Sequence, residues 1–196
     1  MEIDIQGLSA GNRYKLMASL ITPRPIALIT TVSENGITNA APFSLFNMVG
    51  EDPPLVLVSI NPHPDGRRKD TAANIRRTRE FVVHMSDEHM AQKMQRCSDV
   101  LPKHLSELEH TGLTATPSRM VSPGRIAEAP VAFECSLYHV LETPSREIFI
   151  GQVMWLHVRE GLIDSRNWRV DLDAYSPIGR LGGWAYTGCR DRFEMK

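Results

Sequence analysis

Val131-Ala132-Phe133-Glu134-Cys135-Ser136-Leu137-Tyr138-His139-Val140-Leu141, the turn Glu142-Thr143-Pro144-Ser145, and then Glu147-Ile148-Phe149-Ile150-Gly151-Gln152-Val153-Met154-Trp155-Leu156-His157-Val158-Arg159 form the stretch that decides the fold. Both arms are rich in β-branched and aromatic residues, and so short a connection leaves only antiparallel pairing open to them. Parallel neighbours need a crossover of about a dozen residues or more, so this pair has no natural place in a parallel α/β sheet.

Working outward, further strand signals appear at hairpin spacing. Pro25 to Val32 is β-rich and ends at Ser33-Glu34-Asn35-Gly36, a turn signal from which Ile37 to Ala41 can pair back. Leu55 to Ile60 is a nearly continuous apolar run closed by Asn61-Pro62, which reads as a buried strand, and Glu80 to His84 reads as another. Helices are expected over 12–20, over 70–78, and from a cap at Asp87 through about Arg96. Between Cys97 and Gly124 the residues Pro102, Gly112, Pro117 and Pro123 break the pattern into an excursion with a short helix near 102–109. The tail from Asp171 to Lys196 reads as mostly irregular. The expectation is a mainly β protein, one domain over residues 1–196: a closed or split β-barrel with helical additions.

Composition removes several function classes. The chain has 196 residues, 42% hydrophobic and 23% charged, with a formal net charge of −1. No global field recruits nucleic acid or an anionic membrane, so any anion site must be local. The start, Met1-Glu2-Ile3-Asp4-Ile5, lacks the basic opening and apolar run of a signal peptide, and no stretch approaches the roughly 18 apolar residues of a membrane span. Three widely spaced cysteines with no CxxC support neither a disulfide framework nor a zinc knuckle, and a reducing cytoplasm is the expected home. There is no HExxH, no GxGxxG between a strand and a helix, and no GxxxxGK[ST], which removes the zincin, Rossmann and P-loop readings.

Three segments can carry chemistry. In Arg67-Arg68-Lys69-Asp70-Thr71-Ala72-Ala73-Asn74, cations stand immediately before a helix whose first turn offers free backbone N–H groups. That arrangement suits a phosphate monoester; the alternative is a plain N-cap at Asp70 or Thr71 with solvated cations. In Asn39-Ala40-Ala41-Pro42-Phe43-Ser44-Leu45-Phe46-Asn47, a proline interrupts the strand, and the loop can present amides and the Ser44 and Asn47 side chains to a planar heterocycle. The alternative is a bent connection whose phenylalanines fill the core. In Tyr175 to Tyr186, glycines permit close backbone approach to a ligand, with Arg180 and Tyr186 as polar contacts. Cys135 reads as a buried thiol, and Arg76, Arg77 and Arg79 as a solvated helix face.

Taken in order and spacing, these segments resemble the flavin reductase-like family with the FMN-binding split barrel, including flavoredoxin-like proteins. The resemblance runs from about Thr22 to Tyr186. Its marks are Pro23-Arg24-Pro25-Ile26-Ala27, Asn39 to Asn47, Asp52-Pro53-Pro54, Lys69 to Ile75, Ile126-Ala127-Glu128-Ala129-Pro130, Ile150-Gly151-Gln152-Val153 and Arg180-Leu181-Gly182-Gly183. It implies a mainly β, antiparallel, Greek-key-like split barrel with several short helices, and a homodimer holding FMN non-covalently near the subunit interface, with NAD(P)H as co-substrate and an oxygenase or electron-transfer protein as partner. Carried onto this chain, it makes Arg24 (with Pro25 and Ile26), Lys69, Asp70, Thr71 and Asn74 the phosphate and ribityl side of the site. Asn39, Ala41, Ser44, Leu45, Phe46 and Asn47 become the cradle of the isoalloxazine ring, closed by Arg180, Gly182 and Gly183. Gln152 departs from the pattern, which has Glu there. No catalytic side chain and no metal are implied, and the activity is hydride transfer from NAD(P)H to flavin or, alternatively, electron transfer of the flavoredoxin type. A non-enzymatic flavin-binding module is the third reading.

Overall fold

The computed structural model describes residues 1–102 and 104–195. Helix α1 (Ala10–Leu20) begins two residues before its expected start, because Ser9 caps it by accepting from the Asn12 N–H at 3.2 Å. Strands β1 (Arg24–Pro25), β2 (Ala27–Val32) and β3 (Thr38–Phe43) follow, with Gly36 at φ +76° in the turn between β2 and β3. Then come β4 (Phe46–Glu51), β5 (Pro54–Ile60), α2 (Asp70–Thr78) and β6 (Glu80–Met85). Helices α3 (Ala91–Arg96) and α4 (Glu107–Thr111) and the short strands β7 (Ala115–Thr116) and β8 (Arg125–Ile126) make up the excursion. The long pair is β9 (Val131–Thr143) and β10 (Arg146–Val158). After it stand β11 (Ile163–Asp164), β12 (Arg169–Val170), β13 (Ile178–Arg180) and β14 (Tyr186–Gly188).

Seven strands form one antiparallel sheet in the order β3-β2-β6-β9-β10-β5-β4. Its two edges do not pair with each other, yet Phe43 of β3 and Phe46 of β4 share one buried cluster with Ile29, Val58, Phe81 and Phe149. The sheet therefore curls around a common core and stops short of closure: a split barrel. Helix α2 fills part of the interior with Ala72 and Ile75. On the outer side, α3 and α4 bury Met94 and Leu108 against Ile26, Leu28 and Ala40. The bend of β10 falls at a register shift between Ile150 and Gly151. A Cβ at Gly151 would stand 3.0 Å from Phe81 Cε1 and 3.2 Å from Cys135 Cβ, so only glycine lets these strands pack so closely.

Several expectations need correction. Pro42 does not interrupt its strand: β3 continues through it, opposite Leu28. As an edge strand β3 needs no outward N–H there. The next outward N–H, that of Ala40, is taken by Glu107 Oε2 at 2.9 Å, and Ser106 Oγ donates to Thr38 O at 2.7 Å, so α4 covers this edge. Asp87 closes a turn by accepting from the His89 and Met90 N–H groups, and α3 starts only at Ala91. The short helix expected at 102–109 lies at Glu107–Thr111; Lys103 falls outside the described residues. The arginines of α2 are not simply solvated. Arg76 pairs with Glu142 and Glu147, Arg77 donates to Val32 O and Arg79 to Leu137 O, which ties the helix to β2 and to the β9–β10 hairpin. The tail is mostly irregular as expected, with the two short strands β13 and β14 forming a three-stranded sheet with β1. Cys97 and Cys135 are buried thiols, and burial pushes the Cys97 thiol up to about 11.

Candidate functional site

The first turn of α2 has no side-chain cap. Lys69 occupies the N-cap position with extended backbone, and neither Asp70 nor Thr71 plays the capping role. The first helical hydrogen bond runs from Ala73 N to Lys69 O at 3.0 Å, so the amides ahead of it point out of the helix end. Lys69 Nζ lies 5.9 Å from the centroid of the Phe43 ring and 3.4 Å from Asn61 Oδ1. Its pKa is held below the ordinary lysine value, first by burial and then by the charge of Arg146. Arg146 itself stacks on Tyr14 at 5.4 Å, and neither cation makes an ion pair among the described residues. Sequence reasoning missed Arg146, which sits beyond a hairpin turn with no motif to mark it.

Beneath this turn lies a polar knot. Asn39 Nδ2 donates to Thr71 Oγ1 at 3.0 Å and to Thr31 Oγ1 at 3.2 Å, and Asn74 Nδ2 donates to the same Thr31 oxygen at 3.0 Å. Thr71 accepts here, which leaves its hydroxyl proton to donate elsewhere. The knot fixes the helix end against β2 and β3.

Phe43, the ring that Lys69 approaches, also lines a cleft of about 280 Å³. Ile26, Pro42, Phe43 and Ser44 form its floor, Tyr14 and Trp184 stand at its walls, and α3 contributes Gln95. Arg180 donates to Tyr186 Oη and, at 3.4 Å, to Gln95 Oε1, which Tyr186 also bonds, so the far wall is a braced triplet. Gly182 allows the β13–β14 connection to lie on α1, since a Cβ there would stand 2.9 Å from Ser19 Cβ, and Gly183 adopts φ +57°.

The expected site residues do not all gather in one place. Ile26, Ser44 and Arg180 line the cleft, and Lys69 reaches its phenylalanine. Asn39, Asp70 and Asn74 line a second, larger cavity. Pro25 pairs with Gly179 through the backbone, Ala41 packs against the barrel core, and Leu45 O accepts from Ser59 N at 2.8 Å. Phe46 is buried in the core, and Asn47 is exposed with its side chain accepting from Met48 N, both on β4. Arg24 also differs from expectation. Its guanidinium donates to the carbonyls of Ala18, Ile21 (3.1 Å) and Leu181 (2.9 Å), closing the end of α1 against the tail. It is almost wholly buried, and burial lowers its pKa. Its terminal nitrogens serve backbone carbonyls, a use the motif around it does not announce.

Comparison with known proteins agrees with this architecture. The model of the flavin reductase like domain matches residues 17–170. The crystal structure of 2-nitrobenzoate 2-nitroreductase from Pseudomonas fluorescens is 38% identical, with a TM-score of 0.92 over 100% of this chain and 95% of that one. Nitrilotriacetate monooxygenase component B from Bacillus cereus is 35% identical, with a TM-score of 0.94 over 100% of this chain and 98% of that one. A putative flavin reductase with a split barrel domain from Shewanella frigidimarina shares the fold at 22% identity and a TM-score of 0.86, covering 100% of this chain and 98% of that one. With an open antiparallel barrel, an uncapped helix end and an aromatic cleft, this chain belongs to the flavin reductase-like family.

Proposed function

We propose that this chain is a single-domain, FMN-binding oxidoreductase in which a nicotinamide, NADH or NADPH, delivers hydride to non-covalently held flavin. The observation that carries the reading is the uncapped start of α2 with Lys69 and Arg146 beside it, two cations that repel one another and make no ion pair among the described residues. A phosphate dianion there satisfies free amides and relieves a like-charge repulsion at once. The residues present thus fit FMN better than riboflavin, which has no phosphate.

Bound FMN would accept hydride from the nicotinamide and pass the electrons to a second acceptor. The chain's own part is placement. Lys69, Arg146, the α2 amides and the Thr71 hydroxyl hold the phosphate. Asn39 and Asn74 keep Thr71 in position, as their bonds to the knot require. Phe43, Tyr14 and Trp184 line the cleft that takes the ring, while Ser44 and the Arg180–Tyr186–Gln95 triplet orient its polar edge. Gly182 and Gly183 let the backbone close over it. Hydride transfer asks no proton of the protein, so no acid–base pair is assigned.

The chain acts as a homodimer in the cytoplasm. Helix α1 buries only Ala18 and exposes Tyr14, Met17, Leu20 and Ile21, an apolar strip next to the cleft that a second copy would cover. The 35% identity to a monooxygenase component B favours delivery of reduced flavin to a partner oxygenase. A second reading, direct reduction of a nitroaromatic acceptor, is favoured by the 38% identity to a nitroreductase. Anaerobic absorption spectroscopy decides the core of the proposal. Two flavin bands after FMN addition, with the longer-wavelength band bleached by NADH or NADPH, support it. Bands that persist until a reduced protein donor is added favour flavoredoxin-type electron transfer, and a chain that takes up no FMN overturns it.

A further inference from the structure

We propose that residues 118–126 form a flap on the outer face of the barrel sheet, held shut by titratable side chains and released by acid as one unit. From Pro117 to Gly124 the excursion has no strand or helix, and it makes no backbone–backbone hydrogen bond to the sheet among the described residues. Side chains hold its backbone instead. Glu134 of β9 accepts from Arg119 N at 2.7 Å and Met120 N at 2.5 Å, and Glu80 of β6 accepts from Ser122 N at 2.8 Å. His84 of β6 accepts from Ile126 N at 2.9 Å, and Thr30 of β2 donates to Gly124 O at 2.6 Å. Thr30, His84 and Glu134 are buried, so solvent does not replace a lost acceptor while the flap stays down.

These amides all end on groups that a proton disables. A protonated carboxyl gains a donor where it had accepted, and an imidazolium accepts nothing. His84 already donates Nδ1–H to Leu28 O, so a second proton takes Nε2 and confronts the Ile126 N–H. Burial first, and then the charges of Arg125 on β8 and His157 on β10, disfavour that imidazolium against the bond to Leu28. Around Glu134 stand His157, with Nε2 at 2.5 Å, and the residue Arg119, whose guanidinium stacks on Trp155 of β10 at 4.2 Å. Burial alone would raise the Glu134 pKa, but the Arg119 amide, His157 and the Met120 amide hold it below the ordinary range. Glu80, half-buried, makes its side-chain bond to Ser122 alone among the described residues. Protons therefore bind the open flap more tightly than the closed one. Closure is strongest above pH 6.5 and is lost as pH falls towards 4, the His84 value, with Glu134 extending the loss further down. Release also reaches the cleft. Ile126 packs in the outer cluster with Met94, whose neighbour Gln95 braces Tyr186 and Arg180. Loosening of a flavin site by acid rests on the FMN reading; the flap does not.

Hydrogen exchange of the full chain, read by mass spectrometry from pH 7 to 4 and corrected for intrinsic rates, tests the flap. Protection of residues 118–126 should fall about hundredfold between pH 6.5 and 4. At each pH the segment should exchange faster than β9 and β10, with little response to low urea. His84→Gln keeps an acceptor for the Ile126 N–H but takes no proton, so the segment should stay closed and lose most of this slope. Glu134→Gln should open it about tenfold at pH 7. Protection that ignores pH, that equals that of β9 and β10 throughout, or that keeps its slope in both variants overturns the flap. With FMN added, flavin fluorescence should report release over the same pH range. An open flap that keeps FMN bound overturns the link to the cleft, and a chain that takes up no FMN at pH 7 overturns the flavin reading while the exchange data still decide the flap.

Discussion

Lys69 and Arg146 lie close enough for the guanidinium charge to depress the lysine pKa, and neither has an anionic partner among the described residues. A protein that spends stability on such a pair has a use for it. Replacing Lys69 with Met removes one charge-assisted contact and should weaken FMN binding by about tenfold or more. Arg146→Met should act in the same direction, and riboflavin affinity should change little in either variant. Flavin fluorescence titration reads all of these. Equal losses for FMN and riboflavin would remove both residues from the phosphate site.

The same depressed pKa gives FMN binding a pH limb. The charged lysine is the binding form, so affinity falls as pH rises through the Lys69 pKa, and the fall begins below the ordinary lysine range. Phosphate-bound Lys69 should titrate later than free Lys69, because the anion stabilises its charge. Titrations from pH 7 upward should show the limb in the parent and lose it in Lys69→Met.

His84 should make the fold sensitive to acid. It is fully buried in β6, where Nδ1–H donates to Leu28 O at 2.9 Å and Nε2 accepts from Ile126 N at 2.9 Å, so both ring nitrogens are used in the neutral form. Burial pushes its pKa down to about 4. The unfolded chain binds this proton near pH 6.5 and the folded chain only near 4, so stability is full above the first value. It declines as pH falls towards the second, by about 3 kcal/mol in all. Urea unfolding at pH 7, 5.5 and 4 should show that slope. His84→Leu should flatten it while costing about 1–3 kcal/mol at pH 7, because Ile126 N–H and Leu28 O lose their partner.

Two glycines separate stability from binding. Gly151→Ala forces a methyl against Phe81 and Cys135 inside the barrel and should cost about 1–3 kcal/mol by urea unfolding. Gly182→Ala instead pushes the β13–β14 connection off Ser19, so it should weaken FMN binding more than it lowers the unfolding midpoint. Adding Ser19→Gly to Gly182→Ala should restore part of the binding.

Features written in local pattern could be read from the chain. Helix α2 was expected over the nine residues it occupies, and the long hairpin followed from composition and a short turn. Strand β4 could not be read, because in Phe46-Asn47-Met48-Val49-Gly50-Glu51 only Phe46 is buried and the alternation that marks a half-buried strand is absent. Within the site, the Thr71 segment carried its own signal, a run of cations before a helix. The contacts of Arg24 could not be read, because the carbonyls it serves, Ala18, Ile21 and Leu181, come together only after folding. Arg146 was invisible for the same reason: its relation to Lys69 spans 77 positions of chain, the difference of their residue numbers, and no local rule encodes it.

The tail is held on by Ile178 N to Ser86 O, Glu88 N to Ser176 O and the Arg159 guanidinium to Ala174 O, and it brings Arg180, Trp184 and Tyr186 to the cleft. The seven strands of the barrel are complete by Val158, but the wall facing Phe43 and Ser44 arrives only with residues 178–188. The barrel sheet and this wall of the cleft are thus supplied by separate stretches of chain. A chain cut short after the barrel would keep all seven strands of the sheet and lose Arg180, Trp184 and Tyr186 from the cleft and Ile178 from the core.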